Sequence, residues 1–368
     1  MIKTIDLFAG CGGFSCGFEK AGFNITTAVE YDKDIAESYK INHKNTNLIV
    51  DDIKNVDNNK IFNSNSAEVI IGGPPCQGFS MAGSRIRKNS FMEDERNYLF
   101  KHYFNIVKIV KPKIFIMENV KGILTYRNGE IFEEITNIFS DSKLLECKPY
   151  KIQYKIVKAK EYGIPQARER VIIIGSQMDF DLDKEIELTK KEIIKDYPKF
   201  FEPIKVWDAI SDLNEVKSTD GLIKLNSSTE YQKYLNNNNN TTKNHIYTNH
   251  NKTALNRIKK VKINENYSVL NEKINSVHSG AYGRLDPNGI ANTITTRFDT
   301  PSGGKFIHPF HNRTITPREA ARIQSFPDSF EFIGSKTCIC KQIGNAVPPK
   351  LAYFFGRLIG RILNEESR

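Results

Sequence analysis

No apolar run in these 368 residues approaches the ~18 residues that a membrane-spanning helix requires. A tight apolar cluster, residues 171–174, suits a buried strand instead. Met1-Ile2-Lys3 leads directly into a strand-like run, without the basic and then apolar pattern of a secretory signal. Six cysteines are too few to staple a chain of this length, so a reduced, cytoplasmic setting is expected. Cys338-Ile339-Cys340 is too tight for the usual zinc spacing and has no partner pair, so no metal site is read. Acid is also missing locally. Residues 241–262 contain no Asp or Glu, whereas Lys243, Lys252, Arg257, Lys259, Lys260 and Lys262 all fall there.

What is present fits a soluble globular protein with a full core, 39% hydrophobic and 26% charged. The net charge of +10 favours a polyanionic partner without identifying one. Arg85, Arg87 and Lys88 form a second basic cluster.

The first 175 residues alternate strand-like and helix-like patterns, which predicts a mixed, mostly parallel α/β sheet flanked by helices. Strands are expected at residues 2–8, 25–29, 47–50, 69–71, 114–117, 152–157 and 171–174, and a helix over residues 98–110. Just past the strand ends come a glycine-rich turn (residues 9–13), Glu30-Tyr31-Asp32, Asp51-Asp52, Gly72-Gly73-Pro74-Pro75-Cys76 and Glu118-Asn119-Val120. That edge of an open α/β sheet is where ligands bind. Beyond residue 180 the chain turns irregular and rich in Asn, Lys and Ser, with an asparagine run at 236–240. A second, smaller domain is placed at 181–334, with residues 1–180 and 335–368 forming the first.

The glycine-rich turn alone would suit several nucleotide cofactors, or none. Glu30 could accept from ribose hydroxyls and Asp52 from an adenine amine. Each acid singly is more often a cap or a surface residue, but their succession on neighbouring strand ends favours a nucleoside. Cysteine is usually a small buried hydrophobe. Cys76, however, follows two rigid prolines at a strand exit, where a thiolate can be presented to a carbon. Glu118 ends the next strand and could face it. Arg168 and Arg170, two apart in an extended segment, point the same way, although charge before a strand is also ordinary.

Together these segments resemble the bacterial DNA (cytosine-5)-methyltransferases of restriction–modification systems. The resemblance rests on Asp6 to Phe14, Glu30, Asp52, Pro74-Pro75-Cys76-Gln77, Glu118-Asn119-Val120 and Gln166-Ala167-Arg168-Glu169-Arg170. Towards the end of the chain it rests on Arg313 to Arg322 with Gln324, and on Gly344-Asn345-Ala346-Val347-Pro348-Pro349. The motifs span nearly the whole chain.

The resemblance implies a Rossmann-like fold that binds S-adenosylmethionine (AdoMet), with a target-recognition domain in the variable part. It implies a Cys76 nucleophile for carbon 6 of a flipped-out cytosine, Glu118 on N3, Arg170 on O2, and Arg168 supporting the loop and phosphate. It implies an AdoMet pocket of Phe8, Gly10, Glu30, Tyr31, Asp52, Ile53, Leu99, Asn345 and Val347. Residues 77–97 are expected as a mobile loop with Gly78 and Gly83 as hinges. DNA contacts are expected from Gln77, Ser80, Arg85, Arg87, Lys88, Arg257, Lys259, Lys260, Arg297 and Thr293, the last in the pair Thr293-Ile294. The partner is double-stranded DNA, met by a monomer, and a companion restriction endonuclease is the family's commonest setting. Alternatives are a tRNA cytosine-5 methyltransferase, although its Cys-Phe-Thr signature is absent, or a catalytically silent DNA-binding protein. A nicotinamide dehydrogenase would leave Pro-Pro-Cys unexplained.

Overall fold

The structure is a computed structural model that describes residues 1–74, 98–237, 239–272, 274, 276 and 278–365. A seven-stranded sheet organises the first part of the chain. Its strands are β1 (Lys3–Leu7), β2 (Asn24–Glu30), β3 (Asn47–Val50), β4 (Val69–Gly72), β5 (Ile114–Asn119), β6 (Lys151–Lys158) and β7 (Glu169–Ser176). They lie in the order β3-β2-β1-β4-β5-β7-β6. The five from β3 to β5 are parallel, and β7 runs antiparallel to both of its neighbours. The sheet is therefore mixed and mostly parallel, as expected. From β1 the chain first moves outward through β2 and β3, then returns to place β4 on the other side. This reversal of strand order opens a crevice at the carboxyl ends of β1 and β4.

Several strands run further than their apolar cores. β5 continues through Glu118 and Asn119 because β7 pairs with them, Glu118 opposite Ile172 and Asn119 opposite Val171. β7 is longer at both ends because it is hydrogen-bonded on two sides.

Helices α1 (Gly13–Lys20), α2 (Lys33–Asn42), α3 (Tyr98–Val110), α4 (Leu182–Asp196), α5 (Glu230–Asn236), α6 (Lys252–Lys260), α7 (Pro317–Ile323), α8 (Lys336–Asn345) and α9 (Pro349–Glu365) matter most for the site. α9 returns the chain end to the sheet and packs on α1 almost backbone to backbone. A Cβ at Gly17 would lie 2.4 Å from the Cβ of Ala352 and 2.4 Å from the Pro349 carbonyl. Ile114, Ile116, Ile172 and Ile174 share one apolar cluster with Leu358, Ile359 and Ile362 of α9. The opposite face of the sheet packs on α3.

Core contacts cross the domain boundary expected after residue 180. Leu182, Ile186 and Ile193 of α4, with Phe200, belong to the cluster of the sheet and α9. Glu185 also pairs with Arg361 at 3.2 Å. The remainder of the second part is not independent either. Its core residues, such as Val206, Leu285 and Phe298, form one cluster with Cys11, Ile35 and Ile343. α7 carries three buried charged side chains. Arg313 and Glu319 form a two-pronged pair at 2.8 Å, Arg322 reaches Asp328 at 2.8 Å, and Arg318 donates to the Lys243 and Phe330 carbonyls. The Arg-Glu-Ala-Ala-Arg motif is thus an internal brace.

Candidate active site

The carboxyl ends of β1, β2, β4 and β5 open into one cavity of about 800 Å³. Phe8, Gly10, Glu30, Tyr31, Asp52, Ile53, Leu99, Asn345 and Val347 all line it. Asn345 and Val347 arrive there because α8 and α9 lay the chain end across α1. A Cβ at Gly13 would meet the Val347 carbonyl at 2.5 Å.

The turn after β1 is built for close approach. Phe8, Gly10 and Gly12 have φ of 60°, 58° and 94°. Such a conformation is natural for glycine but costs about 1 kcal/mol for Phe8. Glu30 fixes the turn from the next strand. One carboxylate oxygen accepts the Gly10 N–H at 2.8 Å and the other accepts the Asp32 N–H at 2.9 Å. Burial pushes the Glu30 carboxyl above its ordinary range, and these two donors oppose that push. Asp52 is held by the backbone N–H of Lys54 at 3.1 Å and by its ammonium at 3.2 Å. Tyr31 is 62% exposed at the mouth.

Further residues shape the cavity beyond those assigned to it from the sequence. Lys341 pairs with Asp32 at 2.8 Å and stands 5.9 Å from the Tyr31 ring. Gln342 and Asp51 also line the wall. Asp6 lies beneath the turn, 1% exposed, and accepts from the Ser15 hydroxyl at 2.6 Å. With that proton committed, the hydroxyl of Tyr39, 2.8 Å away, donates to Ser15. Burial pushes the Asp6 pKa up to about 7, against the bond from Ser15.

At the far end of the same cavity stands Glu118. Its carboxylate lies 2.9 Å from Arg170 Nε and 3.8 Å from Arg168. A Cβ at Gly73 would be 3.7 Å from the other carboxylate oxygen, so Glu118 faces the strand exit that leads to the Pro-Pro-Cys motif. Asn119 donates to the Pro74 carbonyl at 3.2 Å and steadies that exit. Cys76, Gln77, Ser80, Arg85, Arg87 and Lys88, like the loop expected at 77–97, lie outside the described residues.

Arg168, expected to support the loop and phosphate, lies inside the wall of the site. It is 2% exposed, and its terminal nitrogens donate to the Gly344 and Ala346 carbonyls at 3.1 and 3.0 Å. Burial and neighbouring Arg170 push its pKa down to about 9. It braces Glu118 and the chain end, whereas Arg170 is the more open of the pair. Gln166 extends this brace. It bonds to Gln324 and accepts from the Ile294 N–H at 3.3 Å. Gln324 in turn donates to Ala346 at 2.8 Å.

Thr293 donates to the Ala167 carbonyl at 3.1 Å and lines a second cavity of about 410 Å³, with His278, Asn292 and Lys305. Arg297 is exposed nearby. On α6, Lys259 is exposed, but Arg257 pairs with Glu272 at 2.9 Å and Lys260 stands 3.9 Å from the same carboxylate. Residues 241–262 look uniformly basic in sequence, yet folding brings acid to them from Glu272 and Glu331.

The family described as C-5 cytosine-specific DNA methylase matches residues 2–361. The Type II methyltransferase M.DdeI of Desulfomicrobium norvegicum is 34% identical, over 95% of this chain and 86% of its own length. The Type II methyltransferase M1.HphI of Haemophilus parahaemolyticus is 33% identical, over 95% and 84%. A solved structure described as a prophage-encoded DNA modification methyltransferase of E. coli superimposes with a TM-score of 0.77. It is 28% identical and covers 99% of this chain and 100% of its own.

Proposed function

The chain belongs to the C-5 cytosine-specific DNA methylase family, and from that premise we propose how its residues divide the methylation of a cytosine in duplex DNA. The observation that carries this reading is a single cavity with a nucleoside-type cradle at one end and the Glu118–Arg170 pair at the other.

The cradle fits AdoMet. Glu30 keeps lone pairs free beyond its two backbone donors, Asp52 and Asn345 offer polar atoms, and the glycine turn admits a ligand close to the backbone. AdoMet supplies, when bound, an electrophilic methyl group on a sulfonium. Phe8, Tyr31, Ile53, Leu99 and Val347 give the apolar walls.

Carbon 5 of cytosine is too weak a nucleophile by itself. Cys76 adds as thiolate to carbon 6, and the electrons of the 5–6 double bond become available at carbon 5. Glu118, in its acid form, donates to N3 and supports the charge shift there, and Arg170 orients Glu118 and reaches the base O2. After methylation, loss of the carbon-5 proton expels Cys76 and restores the ring. The target atom is inaccessible within the stack, so the base is flipped out, at a cost of a few kcal/mol. Arg168 keeps the wall of the site in place. Thr293, Arg297, Lys259 and the basic cluster Arg85, Arg87 and Lys88 meet the DNA, together with Gln77 and Ser80. One chain acts alone, and a restriction endonuclease of the same specificity is its companion.

Labelled-methyl transfer to duplex DNA and to tRNA, assayed side by side, tests the reading. Incorporation into DNA is expected, and incorporation into tRNA alone refutes it.

A further inference from the structure

Lys350 lies on the first turn of α9, 4% exposed, five residues beyond Asn345 of the cavity. Its ammonium donates to the Gly163 carbonyl at 3.0 Å. Around it stand the rings of Phe200, Tyr234 and Tyr231, with centroids 4.4, 5.2 and 5.5 Å from Nζ. Lys20 of α1 also stands over the Tyr234 ring, at 3.9 Å, and the rings of Tyr197 and Tyr353 lie within 6 Å of it. The charge acting on Lys350 is that of Lys20, of the same sign. Burial and Lys20 push its pKa down to about 7, while the π faces and the carbonyl favour the ammonium.

Burying such a group is costly, and an apolar side chain could fill the same box without that cost. What lysine adds is the bond to Gly163. That residue sits in the left-handed region, φ 61°. A Cβ there would be 2.3 Å from the Phe200 carbonyl and 2.6 Å from Lys350 Nζ, so the turn is gripped from both sides. It forms the apex of a loop closed by the bond from Ala159 N–H to the Arg168 carbonyl at 2.9 Å. The loop leads directly into Arg168 and Arg170.

We propose that Lys350 is a positioning residue for methyl transfer: its amino group, held among three rings, fastens the Gly163 carbonyl and so sets Arg168 and Arg170 against Glu118. This inference rests on the methyl-transfer reading above. A wild-type chain that transfers no methyl group refutes that reading, whereas the inference is judged on the ratio of variant to wild type.

The test compares Lys350→Met, Lys350→Gln and Lys350→Arg as full-length chains. Single-turnover transfer is measured at saturating DNA and AdoMet, together with AdoMet affinity and amide exchange across residues 164–168. With Met the rate falls about tenfold and exchange quickens about tenfold, while AdoMet affinity stays within about threefold. With Gln, which keeps a shorter donor, the loss is smaller, and Arg recovers most of the rate. A Met or Gln variant that binds AdoMet normally and turns over at the wild-type rate overturns the proposal. Loss of AdoMet binding in both variants overturns it equally, because a role confined to the Gly163 loop leaves the cradle intact.

Discussion

Asp6 and Glu30 sit on adjacent strands under the same turn, but their supports differ and so do the expected consequences of removing them. Asp6 has a pKa raised from 3.8 to about 7. The folded chain therefore holds its proton more tightly than the unfolded one. The stabilisation is complete below about pH 4 and is lost as pH rises through about 7. Wild-type melting temperatures are expected to fall across that window, and Asp6→Asn is expected to flatten the fall; an unchanged slope in the variant would contradict the assignment. Lys350 acts in the next window and with the opposite sign. Its pKa is lowered from 10.5 to about 7, so it adds stability as pH rises between those values, and Lys350→Met removes that gain. Glu30 ties two backbone N–H groups while facing the cavity. Glu30→Ala should weaken AdoMet binding by about tenfold or more, the worth of hydrogen bonds to a charged group. Equilibrium dialysis with AdoMet reads this directly.

Among the elements, the contact of α1 with α9 leaves little room for change. Gly17→Ala would drive a methyl group into the Pro349 carbonyl and Ala352, costing roughly 1–3 kcal/mol and displacing the Asn345–Val347 wall. Both a lower melting midpoint and weaker AdoMet binding are expected; loss of stability alone would mean that the wall is held by other contacts. Strand cores were legible in the sequence because strands buried on both faces read as Val/Ile runs. Strand ends were not, since β5 and β7 gain theirs from each other through pairing between residues over 50 positions apart. The same limit explains Arg168. Its spacing from Arg170 is local information, but its burial is decided by carbonyls of Gly344 and Ala346, which only the returning chain end supplies. Lys341 was missed for this reason too. The inner face of α4 packs with α9 across the boundary expected after residue 180, a contact that its outer face, rich in Lys and Glu, does not announce.

For the molecule as a whole, a net charge of +10 bears on DNA binding more than on the fold. DNA affinity is expected to drop on the order of 100-fold or more between low and moderate salt, as counterion release requires. An affinity that hardly changes would mean that the basic surface is not the binding face. Folding moderates that surface where Glu272 meets Arg257 and Lys260. Glu272→Gln is therefore expected to tighten DNA binding a few-fold at low salt if α6 faces the duplex, and to leave it unchanged if α6 faces away.

All of these effects converge on the proposed role of one cavity, with a methyl donor at one end and Glu118 beside the Pro-Pro-Cys exit at the other. The most direct test is bisulfite sequencing of duplex DNA incubated with AdoMet and either the wild-type chain or Cys76→Ala. Cytosine-5 methylation at one recurring sequence is expected with the wild type and none with the variant, which still binds AdoMet. Methylation by Cys76→Ala, or none by a wild-type chain that binds both AdoMet and DNA, would contradict it.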